Sequence, residues 1–195
     1  MTVDPYVDPR TGVLINKLGI ADADQLQQAV ADVSAARLGQ LAIRPLAGLY
    51  DLVHLRQFHK RIFGDVFAWA GQIRSVQIFK ETGFCLPQHI ESYAADEFAK
   101  LAKDDYLKNL PLHQFVQKLA YYHAEINEMH PFREGNGRAQ RAFLRQLASD
   151  AGYQLDWNLI DAEENTSAAV AAHQGDLEPL TRLLAVIVKS AGAHH

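Results

Sequence analysis

Leu112, Phe115, Val116, Leu119, Tyr122, Ile126 and Met129 fall on one stripe of a 3.6-residue repeat, the most regular pattern in the chain. A continuous apolar stripe of that length must be covered by other elements, so residues 112–129 predict a long helix in the centre of a packed helical body. Pro111 suits a first-turn position of that helix, where its missing N–H costs nothing. Helical periodicity recurs around it. Residues 22–38 carry Leu26, Ala29, Val30 and Val33, with Gly39 as the expected stop. Residues 51–63 carry Leu52, Leu55, Phe58, His59 and Ile62 on one face, closed by Gly64. Residues 88–107 follow, through Ile90, Tyr93, Ala94, Phe98 and Leu101. Residues 138–151, with Phe143, Leu144, Leu147 and Ala148 turned to a core, end before Gly152. Two more helices fit residues 159–174 and 177–191.

One stretch breaks this rhythm. In residues 73–86, Val76, Ile78 and Phe84 alternate with polar residues around Lys80-Glu81-Thr82-Gly83, as in a short hairpin. It is the only convincing β signal. With no repeat, linker or low-complexity tract, the expectation is an all-α fold in one domain spanning residues 1–195.

Composition excludes several function classes. Nineteen basic against 23 acidic residues leave a net charge of −4, without the basic stripe of a nucleic-acid binder. No apolar run approaches the roughly 18 residues that span a bilayer; the longest, 183–188, is read as part of an amphipathic helix. The acidic N-terminal segment has no basic region followed by an apolar one. The single cysteine, Cys85, forms no intrachain disulfide framework and suits a reducing compartment. A soluble cytoplasmic protein that contacts neither nucleic acid nor membrane is expected. The terminal His194-His195 pair reads as the beginning of an expression tag and is left out of the functional reading. The histidines show no His-Glu-x-x-His zinc pattern, and no Gly-Lys-(Ser/Thr) P-loop ending occurs.

The chemistry concentrates in residues 130–141. His130 leaves the central helix for a turn, where an imidazole with an ordinary pKa of about 6.5 can serve as a general base. Glu134 is a carboxylate beside a glycine turn, and Mg²⁺ is commonly held by one or two carboxylates together with substrate phosphates. Gly135-Asn136-Gly137 permits positive φ and close approach of backbone N–H groups to an anion, at the positive end of the helix that follows. Arg138 and Arg141 share one helical face, which Arg145 extends, and guanidinium groups grip phosphates bidentately. Each feature is commonplace alone. Spaced in this way they converge on one polyphosphate.

His130, Phe132, Glu134, Gly135, Asn136, Gly137, Arg138 and Arg141 fill every specified position of His-x-Phe-x-(Asp/Glu)-Gly-Asn-Gly-Arg-x-x-Arg, and on these residues the chain resembles the Fic family. The likeness extends to Asp4-Pro5-Tyr6, Thr11-Gly12-Val13, Leu18-Gly19-Ile20, Trp69-Ala70-Gly71 and Ala151-Gly152-Tyr153, as in bacterial stand-alone Fic toxins. The resemblance implies an all-α Fic fold with a β-hairpin flap. It implies transfer of AMP from ATP to a Ser, Thr or Tyr hydroxyl of a target protein, with release of pyrophosphate. His130 would be the catalytic base and Glu134 the Mg²⁺ ligand. Gly135, Asn136 (side chain included), Gly137, Arg138 and Arg141 would bind the ATP phosphates, and flap residues Val76, Ile78 and Lys80 would dock the target. Gly137, where Doc-like kinases have Lys, favours AMP transfer. UMP, phosphocholine or phosphate transfer is the alternative within the family, and a catalytically silent nucleotide-binding module the alternative outside it. Many Fic proteins are silenced by (Ser/Thr)-x-x-x-Glu-(Gly/Asn). Glu134-Gly135 lies inside the motif, and Glu164-Asn165 has Ile160 where Ser or Thr is required. The restraint is therefore expected in trans, from a small antitoxin supplying an inhibitory helix. The toxin likeness suggests DNA gyrase B or its topoisomerase IV counterpart as target.

Overall fold

The computed structural model describes residues 4–78 and 83–191. The stripe at 112–129 becomes helix α4 (Leu112–Met129), reached after α1 (Ala23–Ile43), α2 (Leu52–Phe63) and α3 (Ile90–Lys103). It buries Phe115, Val116, Leu119, Tyr122, Ile126 and Met129, together with Ala120 and His123. Helices α5 (Asn136–Asp150), α6 (Ala162–His173) and α7 (Glu178–Ile187) complete the set. α4 packs against α3, α5, α6 and α7, while α2 bridges α1 and α5. Apolar stripes of five or more helices thus meet in one continuous core. No helix among the described residues is long and apolar enough to cross a membrane.

Local chemistry sets most of the boundaries. Asp22 and Asp51 accept from the N–H groups of Gln25 and His54 and cap α1 and α2. α1 does not stop at Gly39. It runs on to Ile43, because burying Leu41 offsets the roughly 1 kcal/mol cost of an interior glycine, and Pro45 ends it instead. Pro111 stands one position before α4, as its N-cap. The helix expected over 88–107 is divided. A 3₁₀ turn (Pro87–His89) leads into α3, and after Asp104 the chain turns left-handed at Asp105, Tyr106 and Leu107. Asp104 is drawn onto α4, where its carboxylate accepts from Lys118 Nζ and Tyr122 Oη, both at 2.7 Å.

The expectation that 73–86 holds the only β structure is corrected. The described sheet is elsewhere: β1 (Tyr153–Leu155) pairs antiparallel with β2 (Val188–Ser190), in the register Tyr153↔Ser190 and Leu155↔Val188. The last predicted helix therefore ends at Ile187, and Val188 belongs to a strand. Segment 73–86 keeps two facing arms, joined by Phe84 N–H to the Ile78 carbonyl (3.4 Å) and the Gln77 amide to the Phe84 carbonyl (2.7 Å). Lys80, Glu81 and Thr82 of the expected hairpin tip lie outside the described residues.

Candidate active site

α4 ends abruptly at His130, whose φ of 41° and ψ of 60° are left-handed. Its N–H donates to the Ile126 carbonyl (3.2 Å), so the residue closes the helix and turns the chain into the loop before α5. Phe132 plugs that loop into the core, stacked on His59 with ring centroids 3.9 Å apart. Asn136 then fastens it: Oδ1 accepts from Phe132 N–H (2.8 Å) and Nδ2 donates to the Phe132 carbonyl (2.7 Å). The side chain expected on phosphate is thus engaged in closing the loop. Gly135 sits at φ 81°, and a Cβ there would lie 2.4 Å from two atoms of the buried Phe63 ring. Gly135→Ala is expected to destabilise the fold by about 3 kcal/mol, through backbone strain plus overpacking, as a lowered midpoint in urea.

His59 supports the loop from below. Its Nδ1 accepts from Gly71 N–H (2.8 Å), so Nε2 carries the proton and donates to the Glu134 carbonyl (2.8 Å). Burial lowers its pKa to about 4, does the same at His123, and lowers that of His54 as well. His59 and His123 stay neutral in the native state down to about pH 4, while in the unfolded chain both take up protons below about pH 6.5. The stability they contribute is whole above that pH and is lost as pH falls towards about 4, at up to about 1.4 kcal/mol per pH unit for each. Urea titrations from pH 7 to 5 should show this decline, and His59→Asn should flatten it by about one proton's worth. An equal slope in the variant would refute the assignment.

Past Gly135, α5 begins without any side chain capping its first turn, so its opening N–H groups remain available to an anion. Arg138 reaches back with Nη1 on Ser34 Oγ (3.0 Å) and Nη2 at 3.4 Å from Glu134, its guanidinium over the Phe63 ring. Arg141 lies against the same turn. A Cβ built on Gly137 would be 3.2 Å from its Nη1. Among the described residues no carboxylate offsets its charge; burial and the neighbouring Arg138 both lower its pKa. Arg138, Arg141 and the exposed Arg145 line a cavity of about 930 Å³ that Leu41 and Trp157 help to enclose. Glu134 and His130 are not in its lining. Neither are Gly135, Asn136 and Gly137; the turn they stand on leads into α5. The described residues include no cluster of three metal-ligating side chains. Glu134, exposed beside the glycine turn, therefore fits a cation shared with phosphates better than an all-protein metal site.

Facing this turn is the 73–86 segment. Phe84 stacks on the His130 imidazole at 3.8 Å and 9°, and His130 Nδ1 lies 3.3 Å from the Asn127 carbonyl. Val76 and Ile78 are half-buried on the first arm. Arg74, Phe84, His59 and Asp4 (2.8 Å from Arg133) were not singled out as site residues from the sequence. Nothing in residue spacing marks them, because most of their partners are main-chain groups.

A model of the Fic/DOC family matches residues 49–148. The Escherichia coli K12 probable protein adenylyltransferase Fic is 39% identical over 97% of this chain and 94% of its own length. VbhT, a protein adenylyltransferase of Bartonella schoenbuchensis, is 40% identical over 93% of this chain, which spans only 38% of that longer protein. Among solved structures, an ADP-bound Fic domain from Bartonella quintana superposes with a TM-score of 0.90 at 27% identity, covering 96% of both chains. With its helical core, His130 turn and glycine-led α5, the chain belongs to the Fic/DOC family.

Proposed function

We propose that this protein is a Mg²⁺-dependent protein adenylyltransferase. The observation that carries the reading is the uncapped start of α5 beside Arg141, a desolvated guanidinium with no acid opposing it among the described residues. Such a corner is electrostatically incomplete until a multiply charged anion fills it. Family membership and adenylyltransferase relatives make ATP the fitting anion. In this reading a target hydroxyl oxygen attacks the α-phosphorus, the bond to pyrophosphate breaks, and the hydroxyl proton passes to His130 Nε2. The bond from Nδ1–H to the Asn127 carbonyl makes Nε2 the basic nitrogen. The N–H groups at Gly135, Asn136 and Gly137 hold phosphate oxygens, while Arg138 and Arg141 carry charge developing on the leaving pyrophosphate. Glu134 would hold Mg²⁺, which when bound offsets phosphate charge. Val76, Ile78 and Lys80 would dock an extended target segment by strand-like pairing.

The finer reading is a cytoplasmic toxin of a toxin–antitoxin pair, acting on DNA gyrase B or the topoisomerase IV subunit. An antitoxin helix would bring a carboxylate to Arg141 in trans. Support comes from the position of Glu164, in the exposed first turn of α6 and outside the lining of the cavity beside Arg141. The test is a bacterial lysate incubated with the chain, Mg²⁺ and ATP labelled on the α-phosphate or, separately, on the γ-phosphate. Label from the α-position alone supports AMP transfer, and the labelled band identifies the target. Label from the γ-position alone points to a kinase. A purified chain that stays silent until Glu164 is changed would overturn restraint in trans.

A further inference from the structure

Arg74 is the largest fully buried side chain among the described residues, at 2% exposure, and no carboxylate among them faces it. The titratable side chains that act on it are those of Cys85 and Tyr6, and burial is what lowers its pKa. The guanidinium is satisfied instead by carbonyls from three separate places. Nε donates to His130 (2.7 Å), one Nη to Val76 (2.8 Å) and the other to Cys85. Its backbone N–H donates to the Pro131 carbonyl (2.9 Å), and Cys85 N–H donates to Glu128 on α4 (3.1 Å). The Arg74 side chain therefore joins both arms of the 73–86 segment to the His130 carbonyl, and its backbone N–H adds a bond to the next carbonyl, that of Pro131.

This placement answers a specific difficulty. His130 is a non-glycine residue held left-handed, a conformation that persists only where its surroundings over-determine it. Its N–H is fixed by Ile126, but its carbonyl is fixed by Arg74. An apolar side chain could fill the same volume without the cost of burying a cation. It could not fix three carbonyl directions at once, as the planar, five-donor guanidinium does.

We propose that Arg74 is a positioning residue. By holding the His130 carbonyl and both flanking arms, it fixes the imidazole under Phe84 with Nε2 aimed at the reacting hydroxyl. The proposal rests on the AMP-transfer reading, since it concerns the base of that reaction. Arg74 touches no nucleotide in this scheme, so its loss should fall on turnover and not on nucleotide affinity. A displacement of the base by about 1 Å can cost about 10²-fold in rate.

The experiment compares the full-length wild-type chain with Arg74→Lys, which keeps the charge but can satisfy only one direction. Melting temperature, affinity for a non-hydrolysable ATP analogue with Mg²⁺, and kcat and KM for the labelled target are measured together. The tautomer of His130 is read from its ring ¹⁵N shifts at a pH where the ring is neutral. Expected are a folded variant with unchanged nucleotide affinity, kcat lower by about 10²-fold, and a His130 ring that shifts from Nδ1–H towards Nε2–H. A folded variant with wild-type kcat and tautomer overturns the proposal, as does a loss confined to nucleotide affinity. If Arg74→Lys does not fold, Arg74→Gln, which removes the buried charge, takes the same measurements. Failure of both to fold makes Arg74 a core element and also overturns it. A wild-type chain without transfer would sink the AMP-transfer reading instead, and the tautomer, which needs no turnover, would still decide Arg74.

Discussion

Replacing His130 with alanine is expected to lower AMP transfer by about 10²- to 10⁴-fold while leaving nucleotide affinity nearly unchanged. The split follows from where the groups sit. In the proposed mechanism the phosphate contacts belong to the first turns of α5, whereas the imidazole stands at the end of α4, before the buried Phe132 in the chain. Removing the ring withdraws the proton acceptor and leaves the opening N–H groups of α5, Arg138 and Arg141 in place. The substitution also forfeits the stack with Phe84 and leaves a non-glycine residue at φ 41°, so some stability is lost with the activity. His130→Asn separates the two effects. Asparagine tolerates the left-handed region better than alanine, so it should be the more stable variant yet equally inactive. Transfer measured with ATP labelled on the α-phosphate, beside calorimetric binding of an ATP analogue, checks both halves. Transfer retained by either variant would remove His130 from the role of base.

How much of this was legible beforehand depends on how local each feature is. The α4 stripe and the 130–141 turn could be read directly, since periodicity and glycine placement act over a few residues. The two strands could not. Tyr153–Leu155 is too short to show a convincing alternation, and its partner at Val188–Ser190 sits behind a helix and reads as that helix's continuation. Gly39 was misread for the opposite reason: a strong local stop signal lost to the burial of Leu41 two residues later. His59 and Arg74 escaped because of what they bind. Their partners are the main-chain groups of Gly71, Glu134, His130, Val76 and Cys85, and a carbonyl leaves no mark in a sequence. His59 was visible only as one more residue on the buried face of α2. Side chains that meet phosphate are announced by type and spacing, whereas those that hold the loop are found only once the chain is folded.

Arg141→Met should divide function from stability more sharply still, in opposite directions. The guanidinium lies beside Gly137 at the positive end of α5, close enough to Arg138 for like charge to lower its pKa, and no acid among the described residues offsets it. In the absence of an anion that arrangement is unfavourable. A methionine keeps much of the buried apolar stem while removing the charge, so the variant is expected to match the wild type or exceed it by about 0.5 kcal/mol. Transfer should fall by about 10²- to 10³-fold, the usual cost of losing one group that stabilises charge on a departing oxygen. The link between the two effects is the anion. Adding pyrophosphate or ATP should raise the melting temperature of the wild type by more than that of Arg141→Met, because binding to the native state stabilises it in proportion to affinity. Glu134→Gln provides the contrast, since it removes the acid nearest Arg138 and leaves Arg141 in place. Its anion-dependent rise in melting temperature, measured without Mg²⁺, should persist. If Arg141→Met proves clearly less stable than the wild type without ligand and is stabilised equally by pyrophosphate, Arg141 is a packing residue. The charge imbalance at the start of α5 would then not be what recruits the phosphate.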